Sequence, residues 1–390
     1  MAKSPGAMLP GRGPMPARQR AVVAMIDGLD PAYVTEETMP FFGRLAREGT
    51  SRVVQAVMPT VTNVNNAGIS CVAWPAEHGI TGNYYYDHAS GEQGYMEDSR
   101  FLLLPTLMAR VTAAGGKAAL LTAKKKTASL LGAGATLVIA AEEPPAELVA
   151  RHGAAPGIYS AEINHWLWQV AVGLLETQRD LDLLYVHTTD FPMHAWAPGD
   201  LRSSSHLRRL DELIGAAVAA VPGAAFFATA DHGMNGKDLV YDLNQALANR
   251  GRPVRLALSA EKDRYVRHHR TFGGTAWVWL NRAADEDVVT SVLHGLPGVE
   301  TVLTRGQAAQ LFHLHPGRIG DLAVLGDAST VFGDLPEGRE SEMLPPDYRS
   351  HGSQHETSVP LLAWNNDHPY PGTPEYNKDL LVPLLSGWLR

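Results

Sequence analysis

Three apolar runs constrain this chain more than any other feature. AVVAMI at 21–26, LDLLYV at 181–186, in a strand expected to run on to Asp190, and AAFFATA at 224–230 each lead within a few residues to a carboxylate, at Asp27, Asp190 and Asp231. Continuous apolar runs of this length suit strands covered on both faces, as in the interior of a parallel sheet. Open sheets of that kind present their ligand-binding groups at the carboxyl edge of the strands. The pattern therefore predicts an α/β fold with a central, mostly parallel sheet and its chemistry gathered at one edge.

The rest of the chain follows that plan. Helical patterning over 39–48, 105–114, 161–176 and 208–221 alternates with strand-like stretches at 51–57, 117–121 and 359–364. A sheet flanked by helices follows from such alternation. After Gly236 the texture changes, and AWVWLN, DEDVVTSVLHGL, VETVLT and RGQAAQLF mix short strands and helices with few ligand-type side chains. The expected organisation is a flexible tail at 1–19, a catalytic core at 20–236 completed by 338–390, and a smaller inserted α+β cap at 237–337. Hinges are expected near Gly236 and between Gly333 and Gly338.

The segment MPTVTNVNNAGIS at 58–70 is where a nucleophile is expected. Small and polar residues run up to Asn66 before apolar Ile69 and Val72, so Thr62 falls at or next to a helix N-terminus. Free backbone N–H groups and the helix dipole favour a phosphoryl anion there. Asn65, one turn later, is expected to donate to a phosphoryl oxygen. A helix-capping threonine is the plain alternative for Thr62.

The other strand-ending groups decide between the two. Asp27, Asp190 with His194, Asp231 with His232, and His351 place three carboxylates and three imidazoles at the edge that Thr62 shares. Buried without counter-charge, such a set is costly. Divalent metal ions remove that cost. Mixed Asp and His ligation suits zinc, with manganese or iron also compatible, and the lack of thiolates excludes a cysteine-type structural site. The single cysteine, Cys71, excludes an intramolecular disulfide and reads as a small core residue.

Composition narrows the partners. Lys and Arg number 33 against 41 Asp and Glu, a formal charge of −8, and no long basic run argues for a duplex nucleic acid. The Pro- and Gly-rich N-terminal stretch lacks the apolar stretch of a signal peptide, and no run reaches the length of a membrane span. A cytoplasmic enzyme acting on a small molecule is expected, and a homodimer is left open.

The motifs IDG (Asp27), TNVNN (Thr62), TTDFPMH (Asp190, His194), ADHG (Asp231, His232) and SHG (His351) resemble the alkaline phosphatase superfamily, in its nucleotide pyrophosphatase and phosphodiesterase branch. HGITGN with Asn83, TAKKK with Lys124 and Lys126, DHGMNGK and YVRHH are similar to the phosphonoacetate hydrolases of that branch. The likeness extends over residues 20–365 or so. It implies an alkaline-phosphatase-like core, two zinc ions and a cap. One ion would be held by Asp190, His194 and His351, and the other by Asp27, Asp231, His232 and the Thr62 oxygen. It also implies a pocket in which Asn83, Lys124 and Lys126 bind substrate. Lys125 departs from the family, where that position is commonly acidic. His355 competes with His351 as last ligand but lacks the following glycine, and His268 and His269 are either substrate-facing or surface residues.

The implied reaction is cleavage of the carbon–phosphorus bond of phosphonoacetate through a phosphothreonine. Its leaving group is a carbanion, which departs only as its electron pair spreads into the carboxylate, and Lys124 and Lys126 are expected to stabilise that charge. Residues two apart in an extended segment project to one side, so both ammonium groups are expected to reach one carboxylate while Lys125 points away. A metal phosphodiesterase or nucleotide pyrophosphatase is the nearer rival. A catalytically silent metal-binding protein is the other.

Overall fold

A computed structural model of the chain describes residues 18–264 and 270–388. Its centre is a seven-stranded sheet. In spatial order the strands are Thr50–Gln55, Ser358–Trp364, Ala225–Thr229, Ala21–Met25, Leu183–His187, Ala118–Thr122 and Leu137–Ala140. All run parallel except Ser358–Trp364, which is antiparallel to both neighbours. The three apolar runs form adjacent inner strands, every residue of which is buried. Helices such as Glu162–Thr177 and Leu201–Ala219 bury their apolar stripes against the sheet.

Register lines up the chemistry. Met25, Thr122, His187 and Thr229 stand in one row across the sheet, so the groups that follow them by two or three residues emerge at the same edge. The strand expected to reach Asp190 ends at His187, and Asp190 instead precedes the short helix Phe191–Ala195. The helix expected at 208–221 begins earlier, at Leu201, where the Asp200 carboxylate caps it by accepting from the Arg202 N–H. Leu137–Ala140, at the far edge of the sheet, has no counterpart in the sequence reading, because only Ile139 in it is fully buried and the apolar signal is short.

Residues 239–343 contain a four-stranded antiparallel sheet, in the order Leu256–Ser259, Thr275–Trp279, Leu322–Gly326 and Val299–Thr304, and a three-stranded one. The four-stranded sheet uses its two faces differently. Leu258, Trp277, Trp279, Ala323 and Leu325 join the main apolar core, while Ala257, Ala276, Val278, Leu322 and Val324 form a second core with Val289 and Leu293. Alternation along each strand assigns the faces. His268 and His269 lie outside the described residues. No helix among the described residues is long and apolar enough to cross a membrane.

Candidate active site

Thr62 opens the helix Thr62–Cys71, every residue of which is buried. Its Oγ1 lies 3.4 Å from His232 Nε2. The same imidazole nitrogen is 3.5 Å from Asp27 Oδ1 and 3.5 Å from Asp231 Oδ2. On the other side, Asp190 Oδ2 is 3.0 Å from His194 Nε2 and 3.8 Å from His351 Nε2. The rings of His232 and His351 stack at 3.5 Å between centroids. All seven expected groups thus meet at one edge, with His355 turned away to Glu300 at 2.7 Å.

Each of the three imidazoles is oriented by a backbone carbonyl. Nδ1 of His194 lies 2.8 Å from the Arg349 oxygen, that of His232 2.9 Å from the Gly233 oxygen, and that of His351 2.8 Å from the Thr60 oxygen. A carbonyl only accepts, so Nδ1 carries the proton and Nε2 faces the cluster with a lone pair. Metal-ligating histidines are held in this way.

A metal centre also answers a polar deficit. Asp27 Oδ1, Asp231 Oδ2 and His351 Nε2 are buried without a hydrogen-bond partner, a situation that proteins otherwise avoid. Two buried groups have ligand atoms close enough to hold an ion: Asp190 with His232 and His351, and Asp27 with His187 and Asp231. His187 was not among the expected residues. It closes its strand with Nε2 3.3 Å from Asp27 Oδ2 and Nδ1 2.8 Å from Thr122 Oγ1, and its only sequence signal is a histidine at the end of an apolar run.

Electrostatics at the edge are strongly coupled. Burial and the neighbouring Asp27 push the Asp231 carboxyl well above the usual carboxylate range. Burial also acts to raise Asp27 and Asp190, but Lys124 with His187 outweighs it for Asp27, and Lys124 with His194 for Asp190, so both stay below that range. Burial lowers His232, and burial with the adjacent imidazoles lowers His351 further. The cluster therefore favours neutral imidazoles at His232 and His351 and anionic carboxylates at Asp27 and Asp190, while Asp231 gives up its proton only with a counter-charge beside it.

Gly28 makes the close approach achievable. Its φ of +73° favours glycine, a Cβ there would meet Met193 and Asp190 at 3.2 and 3.3 Å, and its N–H donates to Asp231 Oδ1 at 3.0 Å.

Beside the cluster, Thr62, Lys124, Lys126, Asp190, Glu261 and Asp263 line one cavity. Both lysines point inward and Lys125 points outward to Glu143, but the reason differs from the expected one. Lys125–Leu131 is a helix with Lys124 as its extended N-cap residue, so no extended segment spans the three. Within the protein the two ammonium groups have separate partners. Lys124 Nζ lies 3.2 Å from Asp27 and 3.1 Å from Asp190, whereas Lys126 pairs with Asp263. Glu261 and Asp263 come from the loop after Leu256–Ser259, and neither was expected in the site. Burial pushes the Glu261 carboxyl well above its ordinary value, with Lys126 offsetting part of the rise.

The two asparagines separate. The Asn83 side chain is buried with neither amide atom hydrogen-bonded, as suits a group awaiting a ligand. Asn65 is a correction. Its Oδ1 accepts from the Val57 N–H and from Asn377, and its Nδ2 donates to the Val57 carbonyl. The amide is spent on holding the preceding turn, so Asn65 supports Thr62 from behind and does not face a phosphoryl group.

Comparison with known proteins supplies the family and the fold. Residues 21–354 match the profile of the type I phosphodiesterase / nucleotide pyrophosphatase family. Phosphonoacetate hydrolase from Sinorhizobium meliloti 1021, solved with phosphonoacetate, superposes with a TM-score of 0.83 at 30% identity, over 93% of this chain and 94% of that one. Its complex with phosphonoformate gives 0.84 at the same identity and coverage. Murine ectonucleotide pyrophosphatase/phosphodiesterase 5 shares the fold, with a TM-score of 0.69 at 17% identity over 95% of this chain and 94% of that one.

Proposed function

Because the chain belongs to the type I phosphodiesterase / nucleotide pyrophosphatase family, we propose that it is a two-metal hydrolase that converts phosphonoacetate to acetate and phosphate through a phosphothreonine at Thr62. The observation that carries this reading is the cavity that Thr62 shares with Lys124 and Lys126 beside the two ligand clusters. The likeness to a phosphonoacetate-bound enzyme over 93% of the chain supports the substrate.

In the split that the family resemblance implies, Asp190, His194 and His351 would hold one ion and Asp27, Asp231, His232 and Thr62 the other, with His187 set behind Asp27; by ligand-atom spacing His232 also reaches Asp190 and His351 and so stands between the two. When bound, zinc or a similar ion lowers the pKa of an attached hydroxyl and offsets charge on phosphoryl oxygens. Thr62 Oγ1 gives up its proton to solvent and bonds to phosphorus as the carbon–phosphorus bond breaks, and that bond's electron pair passes through carbon into the carboxylate. The resulting enolate-like species takes a proton from water and leaves as acetate. A second water then splits the phosphothreonine, restoring Thr62 and releasing phosphate. The first-turn N–H groups of Thr62–Cys71 support the phosphoryl anion. Lys124 and Lys126 stabilise the carboxylate as it gains charge, and Asn83 supplies the amide that has no partner in the protein.

One observation favours the phosphodiesterase alternative. Asp263 already neutralises Lys126, which leaves the lysine pair less net charge for a substrate carboxylate. Phosphate release from phosphonoacetate and nucleoside monophosphate release from nucleotide diesters, measured alongside metal content, test the choice. Close to two ions per chain, loss of activity to a chelator, and preference for phosphonoacetate are expected. Full activity in metal-free protein would sink the two-metal reading, and preference for diesters would move the substrate assignment to the alternative.

A further inference from the structure

Lys237 and Glu356 form an ion pair whose side chains are both wholly inaccessible to solvent, 2.7 Å apart. Neither residue is a metal ligand in the reading above, and neither lines the cavity. Yet the remaining bonds of Glu356 run to segments next to candidate ligands. Glu356 Oε1 also accepts from Asn235 at 2.8 Å, and Oε2 accepts from the Ser353 N–H at 2.9 Å and the Ser353 hydroxyl at 2.7 Å. The Glu356 carbonyl accepts from the Gly233 N–H at 2.8 Å. Asp231 and His232 immediately precede Gly233, and His351 stands two residues before Ser353.

The connection continues to the nucleophile. The Thr60 hydroxyl donates to the Ser353 carbonyl at 2.7 Å and accepts from the Gly352 N–H at 3.0 Å, while the Thr60 carbonyl is the partner of His351 Nδ1. Thr62 follows two residues later. Lys237 Nζ also donates to the Ala328 carbonyl at 2.9 Å, on the loop after Leu322–Gly326 of the smaller sheet.

A buried ion pair is a poor way to gain stability, since burying both charges costs about as much as their attraction returns, and apolar replacements of similar volume are often neutral or better. What a fully bonded pair does supply is a fixed distance. We propose that Lys237 and Glu356 are positioning residues for the metal centre, setting the separation of the Asp231–His232 loop from the His351 loop and, through Ser353 and Thr60, the placement of Thr62. The inference rests on the reading that these loops bind metal.

The test is a zinc titration of the full chain, stripped by chelator, in competition with a chromogenic indicator. It compares wild type, Glu356→Gln, the apolar double variant Lys237→Met with Glu356→Leu, and Leu293→Ala, which opens a cavity in the second core away from the site. Thermal unfolding of the stripped proteins reports stability separately. The double variant is expected to unfold no more easily than wild type, and to bind zinc about 10- to 100-fold more weakly, the range for partners that orient ligands. Glu356→Gln, which keeps the packing and part of the bonding, is expected to fall between, and it carries the test should the double variant not fold. Leu293→Ala is expected to lose stability and keep its zinc affinity. Wild-type zinc affinity in the Glu356 variants would overturn the inference, as would equal weakening in Leu293→Ala, which would make the effect one of stability alone. Wild type binding fewer than two ions would overturn the metal reading beneath it as well.

Discussion

The carboxyl edge of the central sheet and the loop that faces it from the smaller sheet reach the same cavity by different routes. The edge delivers ligands from strand ends whose register already aligns them, so Asp27, Asp190 and Asp231 converge although they are spread over 205 residues. Among its described residues the facing loop delivers Glu261 and Asp263, and these act on His351 and Lys126 across the gap. A sheet edge fixes chemistry, while the opposing loop adjusts the charge around it. Substitutions on the two sides should therefore fail in different ways.

The largest contrast lies at the nucleophile. Thr62→Ala is expected to keep its metals and fold but lose at least about 1,000-fold in turnover, since a methyl group does not attack phosphorus. Thr62→Ser should retain part of the activity. An active Thr62→Ala beside a dead Thr60→Ala would assign the nucleophile to the wrong threonine.

The lysines sharpen the comparison. Lys126 touches the facing side through Asp263, so Lys126→Ala is expected to slow phosphonoacetate turnover by about 10- to 150-fold, the worth of one charged hydrogen bond, and to spare an aryl phosphate. Lys124 touches Asp27 and Asp190 on the edge itself, so Lys124→Ala is expected to depress both substrates. Steady-state rates on the pair of substrates decide, and equal losses in the Lys126 variant would reduce that residue to a general anion attractor.

The sequence made much of the edge legible because several candidate ligands follow apolar runs that a parallel sheet must bury. Asp27, Asp190, Asp231 and His232 could be found by that punctuation, and Thr62 by the polar turn before its helix. His187 escaped because it is the final residue of its own strand, inside the apolar run. Asn65 was assigned the wrong role because a position one turn along a helix says nothing about which carbonyls will claim its amide. Glu261 and Asp263 left no local signal, as their meaning depends on a sheet that packs onto the core from elsewhere in the chain. The inward turn of Lys124 and Lys126 was anticipated for a reason the helix at Lys125 removes.

The smallest effect concerns histidines outside both sides. Burial lowers the pKa of His78 and of His206 to about 3 from an ordinary 6.5. The unfolded chain therefore binds more protons between those values, so the stability contribution is complete above pH 6.5 and declines as pH falls toward 3. Each histidine is expected to remove about 1.4 kcal/mol per pH unit in that window, or about 2 kcal/mol between pH 6.5 and 5. Urea unfolding of wild type and a His78→Asn, His206→Asn variant checks it, with a shallower acid slope expected in the variant.

The one antiparallel strand of the central sheet imposes an order of assembly. Ser358–Trp364 lies between Ala225–Thr229 and Thr50–Gln55, and Thr50–Gln55 pairs with no other strand of the central sheet. On the ribosome, the segment leading to Thr62 thus waits without a neighbour for some 300 residues. His351 arrives just ahead of the strand that ends the wait. The proposed nucleophile and the last candidate ligand come together through a single late insertion, so a nascent chain that already carries most of the candidate metal-binding side chains has no complete site until that strand is in place.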